Sequence, residues 1–304
     1  MSHLAFASFG NVTVDDLVFA DGTTMWYTPG GNAIYSALGM AIWGHRPAAV
    51  APIGPDYPVE VLEGRLVLDY CRRTGQTLRD WGLYEEDGTR TFVFRSYTRD
   101  WLEYSPTLDD VEALTCDFAH IAPVPWQQQI AIADKLRSRG TRTISIDLDD
   151  RYLTQLADAD RAQLLGAADL FLPSKQDAEA LYPGNSIPDA IRRMRDVAPD
   201  VPMIAVKLGS GGVLFHGAGE ADLSWLPAIA ENVRDTTGAG DAFSGGALAG
   251  FVHGGTALEA ALRGSVAGSF AVQSSGPGAL VSARPEECEA RRSVLLARLE
   301  AFPL

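Results

Sequence analysis

Short apolar segments alternate with helical segments along most of this chain, and this alternation limits its fold more than any other feature. The apolar runs end in turn residues and are typical of buried strands: HLAFASFG, AAVAPIG, DFAHIAP, TRTISIDLD, ADLFLP and PMIAVKLG. The intervening segments have the spacing of amphipathic helices: GGNAIYSALGMAIWG, QQQIAIADKLRSRG and IPDAIRRMRDVAP. Strands that alternate with helices predict an α/β fold, with a mostly parallel central sheet covered by helices on both faces.

Two strand-like stretches interrupt this alternation, at residues 12–29 and 77–100. Within the second, TRTFVFRSYTR alternates with period two, which would put Arg95 and Arg99 on one face of a strand. We expect these stretches to form a small β-sheet lid. Because no low-complexity linker divides the chain, we predict a single domain over residues 1–304.

The composition limits the partners and the compartment of the protein. Asp and Glu number 39 against 25 Lys and Arg, and no basic run indicates a nucleic-acid or membrane partner. Cys71, Cys116 and Cys288 form no CxxC pair, so we expect neither a disulfide framework nor a zinc site. The N-terminus does not resemble a signal peptide and no long apolar stretch is present, so the sequence favours a cytoplasmic protein.

The stretch RDTTGAGDAFSGGALAGF, from Arg234 to Phe251, contains the strongest candidate for chemistry. Its first glycines allow a tight turn into a helix, whose free N–H groups and positive end favour an anion such as phosphate. Asp241 falls in the first helical turn, where a carboxylate can accept a proton from a hydroxyl that attacks phosphorus. The alternative is that Asp241 only complements the helix dipole.

The same helix contains Gly245 and Gly246 in its interior. Each costs about 1 kcal/mol relative to alanine. We therefore expect another backbone to pack very close to this helix.

The segment DTTGAGDAF resembles the C-terminal signature of the ribokinase-like (PfkB) carbohydrate kinases, and the similarity extends from about Gly10 to Arg284. Other segments that resemble family motifs are GNVTVDD, PGGNAIYSALG, IDLDDR, LPSKQDAEAL, VKLGSGGVLF and GPGALVSAR. The resemblance implies a ribokinase-like three-layer α/β/α sandwich. It also implies ATP-dependent phosphorylation of a hydroxyl of a small sugar or sugar derivative, with Mg²⁺ as cofactor.

The resemblance also implies a set of site residues. Asp241 would be the general base, with an anion hole formed by the amides of Gly238, Ala239 and Gly240. The substrate would contact Asp15, Gly30, Gly31 and Asn32. The nucleotide and magnesium would lie near Ser174, Asp177, Lys207, Gly209, Gly212 and Thr237. Members of the family often bind potassium, which here would lie at Asp235, Thr237, Gly278 and Ser282.

Two departures from the family pattern bear on these expectations. The family's NxxE motif is replaced by Ser174-x-x-Asp177, whose shorter carboxylate would orient magnesium through water. An asparagine that contacts the substrate of ribokinases is replaced by Tyr35, which argues against ribose itself. Asn32 is expected to supply part of the lost contact.

The substrate stays open between a sugar, a sugar acid and a nucleoside. Arg95 on the lid would suit the carboxylate of a sugar acid such as 2-keto-3-deoxygluconate, whereas a solvated arginine or one at a homodimer contact through the lid is the alternative.

Other classes of protein fit the sequence less well. A non-catalytic sugar or nucleotide sensor is disfavoured because Asp241 and the glycines of the anion hole are present. A dinucleotide oxidoreductase is disfavoured because Phe243 occupies the third glycine position of GxGxxG. The P-loop motif and the HRD and DFG motifs of protein kinases do not occur.

Overall fold

The computed structural model describes residues 3–86, 90–95, 101–153 and 156–302, so Arg99 and parts of the segment 77–100 lie outside it. The described strands are β1 (His3–Phe9), β2 (Thr13–Val18), β3 (Thr24–Gly30), β4 (Ala48–Val50), β5 (Pro52–Ile53), β6 (Arg72–Arg73), β7 (Leu78–Tyr84), β8 (Arg90–Phe94), β9 (Thr115–Ile121), β10 (Thr143–Ile146), β11 (Leu170–Phe171), β12 (Met203–Lys207), β13 (Val213–Gly217), β14 (Leu223–Leu226) and β15 (Glu300–Phe302). The described α-helices are α1 (Asn32–Ala41), α2 (Leu108–Glu112), α3 (Trp126–Ser138), α4 (Asp158–Gly166), α5 (Lys175–Leu181), α6 (Ile187–Val197), α7 (Ala239–Gly254), α8 (Ala257–Ala271), α9 (Gly278–Ser282) and α10 (Pro285–Leu296).

The central sheet has nine strands in the order β15-β14-β13-β12-β11-β10-β9-β1-β4. The pairs from β4 to β12 are parallel, and those of β13, β14 and β15 at one edge are antiparallel. The parallel strands therefore end at the same edge of the sheet, where ligand sites form in α/β proteins.

Side chains of the central sheet alternate between two apolar layers. In β11, Leu170 packs with α1, α7 and α8, whereas Phe171 packs on the other side with α3 to α6. Met203 and Ile204 of β12 are divided in the same way. Both faces of the sheet are thus buried under helices, and the predicted α/β/α sandwich is confirmed.

A separate four-stranded sheet, in the order β3-β2-β7-β8, comes from the two stretches that interrupt the alternation. We call it the small sheet. β2 and β7 are parallel, with Asp15 beside Asp80, and β8 is antiparallel to β7, with Phe94 opposite Asp80. The predicted small sheet is therefore present, and the register brings Asp15, Asp80 and Phe94 to one of its faces.

The glycines inside α7 lie against the backbones of neighbouring helices. A Cβ atom on Gly245 would lie 1.8 Å from the carbonyl oxygen of Ser36 in α1. A Cβ atom on Gly246 would lie 2.8 Å from the carbonyl oxygen of Arg263 in α8. The close helix approach expected from the sequence is confirmed.

The helices within the described ranges are each too short or too polar to cross a membrane. The three cysteines, all of which the structure describes, are buried, and none forms a disulfide.

Candidate active site

A glycine shapes the start of α7. Gly238 has a φ of 74°, in the left-handed region, and caps the helix that begins at Ala239. A Cβ atom at Gly238 would lie 2.3 Å from the ring of Tyr35, so both the backbone and the available space require glycine. Of the three amides expected in the anion hole, that of Ala239 donates at 3.4 Å to the carbonyl of Thr236 within the turn.

Asp241 lies in the first turn of α7 and faces a cavity. Burial and the nearby charge of Asp147 raise its pKa to about 7, against the opposing effect of the Lys207 ammonium group. A carboxyl group with a pKa near neutral pH can accept a proton and later release it. Its environment therefore suits general base catalysis.

A buried ion pair supports this helix start. Asp147, directly after β10, accepts hydrogen bonds from the Lys207 ammonium group and, at 2.8 Å, from the hydroxyl of Ser244 in α7. The Ser244 Oγ atom also lies 3.0 Å from the carbonyl oxygen of Gly240. Asp147 and Lys207 lie at the carboxyl ends of β10 and β12, the two parallel strands on either side of β11, and their contacts fix the position of the first turn of α7.

Two adjoining cavities meet at this point. The first, of about 610 Å³, extends from Asp241 to the small sheet, and the second, of about 490 Å³, extends along the turn between β12 and β13. The residues that line both are Ser174, Gln176, Lys207 and Gly240. Because they share this wall, the two cavities form one cleft with room for two ligands, and Asp241 lies in its first half.

The structure brings most of the predicted site residues into this cleft. The first cavity is lined by Asp15, Gly31, Asn32, Ser174, Asp177, Lys207, Thr237, Gly238, Gly240 and Asp241. The second adds Gly209, Gly212 and Ala239. Five predicted residues are absent from both linings within the described ranges: Gly30, Arg95, Asp235, Gly278 and Ser282.

The N-terminus of α5 uses Ser174 and Asp177 as a capping box. The Ser174 hydroxyl accepts the Asp177 N–H, and the Asp177 carboxylate accepts the Ser174 N–H at 2.7 Å. Burial, together with the charge of Asp147, raises the pKa of Asp177 to about 6. The SxxD sequence thus has a local structural role, while the second Asp177 oxygen is not used in this pair of bonds.

Asp15 points into the first cavity from β2. A Cβ atom on Gly30 would lie 2.2 Å from the Asp15 Oδ2 atom, so this glycine leaves room for the carboxyl group. Asn32 contacts the same cavity, but its side chain accepts the N–H of Asn11 and donates to the carbonyl of Pro123. Much of the hydrogen-bonding capacity of Asn32 is therefore used within the protein.

Arg95 was expected to reach a substrate, and the structure places it on the opposite face of the small sheet. It donates to the buried carboxylate of Asp16 at 2.8 Å and stacks on the ring of Trp81. Arg79 binds the same carboxylate through two nitrogens. Asp16 is thus a buried structural acid, and Arg95 compensates its charge.

Of the four residues expected to hold a monovalent cation, Thr237 lines the first cavity and the other three are outside both linings. The Asp235 carboxylate accepts the Thr237 N–H at 2.8 Å and the Tyr84 hydroxyl at 2.7 Å, and Ser282 bonds the carbonyl of Gly278 in α9. Carbonyl, hydroxyl and carboxylate oxygens are the donors that a hard cation needs. The donor chemistry therefore fits such an ion.

The chemistry of the first cavity also fits magnesium. Besides Asp241, the acids that line it away from the small sheet are Asp147, Asp149, Asp150 and Asp177. Within the part of the chain that the structure describes, no cluster of three or more acids, histidines or cysteines closes around a metal by itself. This arrangement suits Mg²⁺, which usually takes only one or two protein carboxylates and completes its shell with phosphates and water.

Among the residues of the first cavity that sequence reasoning missed are Asp80, Phe92 and Phe94 of the small sheet. In LRDWGLY, Asp80 lies two residues after the buried Leu78, so both side chains point to the same face of the strand. A carboxylate on the buried face of a strand is unusual. Phe92 and Phe94 lie an odd number of residues from Arg95. The period-two pattern therefore also predicts that they share the sheet face opposite to Arg95.

The chain is also similar in sequence to known proteins. The model of the pfkB family carbohydrate kinases matches residues 9–284. The cytidine kinase of Thermococcus kodakarensis is 27% identical over 252 residues, which cover 81% of this chain and 87% of that protein. The 2-dehydro-3-deoxygluconokinase of Escherichia coli is 29% identical over 220 residues, covering 64% of this chain and 69% of the relative.

The fold also matches solved structures. The nucleoside kinase of Burkholderia thailandensis in complex with ADP-inosine has a TM-score of 0.74 at 18% identity, over 98% of each chain. This similarity concerns the fold alone. Because the family model matches nearly the whole chain, the protein belongs to the pfkB family of carbohydrate kinases.

Proposed function

We propose that the protein transfers the γ-phosphoryl group of ATP to a hydroxyl of a small neutral polyol, and that a ribonucleoside is the leading candidate acceptor. The observation that carries the proposal is the position of Asp241, which lines one half of a two-part cleft next to the wall that both halves share. An acid at such a boundary can contact an acceptor in one cavity while the phosphates enter from the other.

The residues around Asp241 have complementary roles in this proposal. ATP occupies the second cavity, along Gly209 and Gly212, with its terminal phosphate at the start of α7. The amides of Gly238 to Gly240 and the helix dipole stabilise negative charge there. Asp241 accepts the proton of the acceptor hydroxyl as its oxygen attacks phosphorus, and Lys207 provides a positive charge in the shared wall.

Magnesium would be held by carboxylates of the first cavity, with Asp147 and Asp177 as the candidates. When bound, it neutralises part of the phosphate charge. A monovalent cation at Asp235, Thr237, Gly278 and Ser282 would lie next to the same turn.

The small sheet supports the assignment of the acceptor. Phe92 and Phe94 present aromatic side chains to the first cavity, on the same sheet face as Asp15 and Asp80. Aromatic side chains suit a planar base, and carboxyl groups suit sugar hydroxyls. This combination favours a nucleoside, the substrate named for the cytidine kinase relative. We propose that the small sheet acts as a lid over this acceptor.

A second candidate is a sugar acid, which is favoured by the similarity to 2-dehydro-3-deoxygluconokinases. A carboxylate substrate needs a cation close to the first cavity. Arg79 and Arg95 instead bind Asp16 on the far face of the small sheet, whereas its cavity face carries Asp15 and Asp80. The two cations that line the cavity among the described residues, Lys207 and Arg151, form ion pairs with Asp147 and Asp149. This distribution of charge favours the neutral acceptor.

Asp241→Asn tests the proposed base. We expect the rate of ADP formation with the preferred acceptor to fall by about 10²-fold or more, because general base catalysis typically contributes 10²–10⁴-fold. Calorimetry should show that the variant still binds ATP. The matched control is Asp189→Asn, which alters an exposed first-turn acid of α6 and should leave turnover unchanged. Turnover near the wild-type rate in Asp241→Asn would exclude this residue as the base.

The acceptor is tested in the same assay, which couples ADP release to a panel of nucleosides, pentoses, hexoses, polyols and sugar acids. We expect cytidine or another ribonucleoside to give the highest kcat/KM. Exclusive turnover of 2-keto-3-deoxygluconate would establish the second candidate instead.

A further inference from the structure

Two acids lie side by side where the small sheet faces the first cavity. Asp15 and Asp80 are direct neighbours in the parallel register of β2 and β7, and both line the cavity. Their side chains are almost fully buried, with 5% of Asp15 and 4% of Asp80 exposed. Like charges at directly opposed positions of a sheet are destabilising, so this pair needs an explanation.

One oxygen of each acid has no hydrogen-bond partner among the described residues. These are the two buried Oδ1 atoms. Leaving a buried acceptor unpaired costs about 1–3 kcal/mol, and more for a charged group. The two atoms belong to neighbouring residues of adjacent strands, so a proton held between the two carboxyl groups satisfies both and leaves the other oxygen of each acid for a ligand in the cavity.

The two groups cannot both be ionised at neutral pH. Burial and the charge of Asp15 raise the pKa of Asp80 to about 9, and burial raises the pKa of Asp15 as well. At neutral pH the pair therefore holds at least one proton, on Asp80 or between the two carboxyl groups. With that proton between them, the two outer oxygens are left as a pair of neighbouring acceptors.

We propose that Asp80 is a second substrate-binding residue, and that the pair Asp15–Asp80 accepts hydrogen bonds from two adjacent hydroxyl groups of a neutral acceptor. In a ribonucleoside these are the 2′- and 3′-hydroxyls. The inference rests on the proposed function for the identity of the acceptor. It adds a reason for selectivity, because the same pair repels a carboxylate at this place.

The test compares Asp80→Ala with Asp80→Asn, because an amide can still donate to Asp15 and accept from a hydroxyl. The probes are cytidine with 2′-deoxycytidine and 3′-deoxycytidine, and D-ribose with 2-deoxy-D-ribose. Affinity is measured by calorimetry without ATP, so that the result does not depend on phosphoryl transfer. Thermal unfolding of each variant is recorded in parallel.

The ribo-probes are cytidine and D-ribose. We expect the wild-type protein to bind at least one of them more tightly than its deoxy analogue, by a factor of about 10 or more. This factor corresponds to one lost hydrogen bond to a charged group. Asp80→Ala should weaken the binding of the ribo-probe by about 10-fold or more. The ratio of its affinity to that of the deoxy analogue should fall towards one. Asp80→Asn should stay within about 3-fold of the wild type, because it preserves both hydrogen bonds.

Three results would overturn the inference: no binding of any ribo-probe to the wild-type protein, an unchanged preference in Asp80→Ala, or an equal loss in Asp80→Asn and Asp80→Ala. A merely structural role would lower the unfolding temperature without changing the preference between the members of a pair. Selective binding without ADP release would contradict the proposed function while leaving this inference intact.

Discussion

At the scale of single residues, the ionisation of Asp241 is decided by its surroundings. Burial and Asp147 favour the protonated form, while Lys207 favours the charged form, and together they hold its pKa at about 7. Only the deprotonated carboxylate can accept a proton from the acceptor hydroxyl. The proposed base therefore changes its charge near neutral pH.

This balance predicts the pH dependence of the reaction. Because Asp241 is protonated below its pKa, kcat/KM should fall by about tenfold per pH unit below about pH 7 and reach a plateau above it. The measurement is a pH profile of ADP release at low acceptor concentration. In Asp177→Asn the profile should keep its midpoint. A midpoint that disappears in that variant would assign the titration to Asp177, whose pKa is raised to about 6.

At the scale of elements, the position of Asp241 depends on how closely α7 packs against α1. Gly245 lets the two backbones approach, because a Cβ atom would lie 1.8 Å from the carbonyl oxygen of Ser36. The same contact surface positions Tyr35, whose ring lies against Gly238 at the start of α7. Helix packing and the shape of the cleft are therefore linked.

Gly245→Ala should destabilise the protein by about 1–3 kcal/mol, because the added methyl group overpacks the contact between α1 and α7. Urea unfolding measures the change. The control is Gly166→Ala in α4, where an added Cβ atom meets nothing within 4 Å and the helical propensity of alanine favours a neutral or stabilising effect. Equal effects of the two substitutions would contradict the role of close packing.

At the scale of the whole molecule, the small sheet and the α/β sandwich meet at the turn before α7. The Tyr84 hydroxyl of β7 donates to Asp235 at 2.7 Å, and Arg90 of β8 donates to the Thr236 hydroxyl at 2.5 Å. Asp235 in turn accepts the N–H of Thr237. The small sheet is thus tied to the loop that leads into the proposed anion hole.

Tyr84→Phe should therefore lower kcat by about 3- to 10-fold, since a hydrogen bond to a charged group contributes about 1.5–3 kcal/mol and part of this fixes the turn. Steady-state assays at saturating substrates give the value. Tyr182→Phe is the matched control, because it removes a buried hydroxyl that has no recorded partner among the described residues and lies outside both cavities. A rate for Tyr84→Phe equal to that of the control would show that this contact does not support catalysis.

Much of the fold could be predicted because its signals are local. The apolar runs indicated the strands β1, β9 and β12, and the glycines Gly245 and Gly246 indicated a close helix contact that the structure confirms. Capping residues and glycines also indicated that Asp241 would lie in a first helical turn. Each of these signals depends on residues within a few positions of one another.

The tertiary structure alone decided which distant residues share the cleft. Asp15 and Asp80 are neighbours because of the register between the parallel strands β2 and β7. A shift of one strand by one residue would turn each of its side chains to the other face of the sheet. Because side chains alternate along a strand, Arg95 lies on the face with Asp16, whereas the phenylalanines of β8 lie on the cavity side. The sequence by itself determined the order of strands and helices and the acid at the start of α7. Register and burial are properties of contacts between distant segments, so the acceptor side of the cleft became visible only in three dimensions.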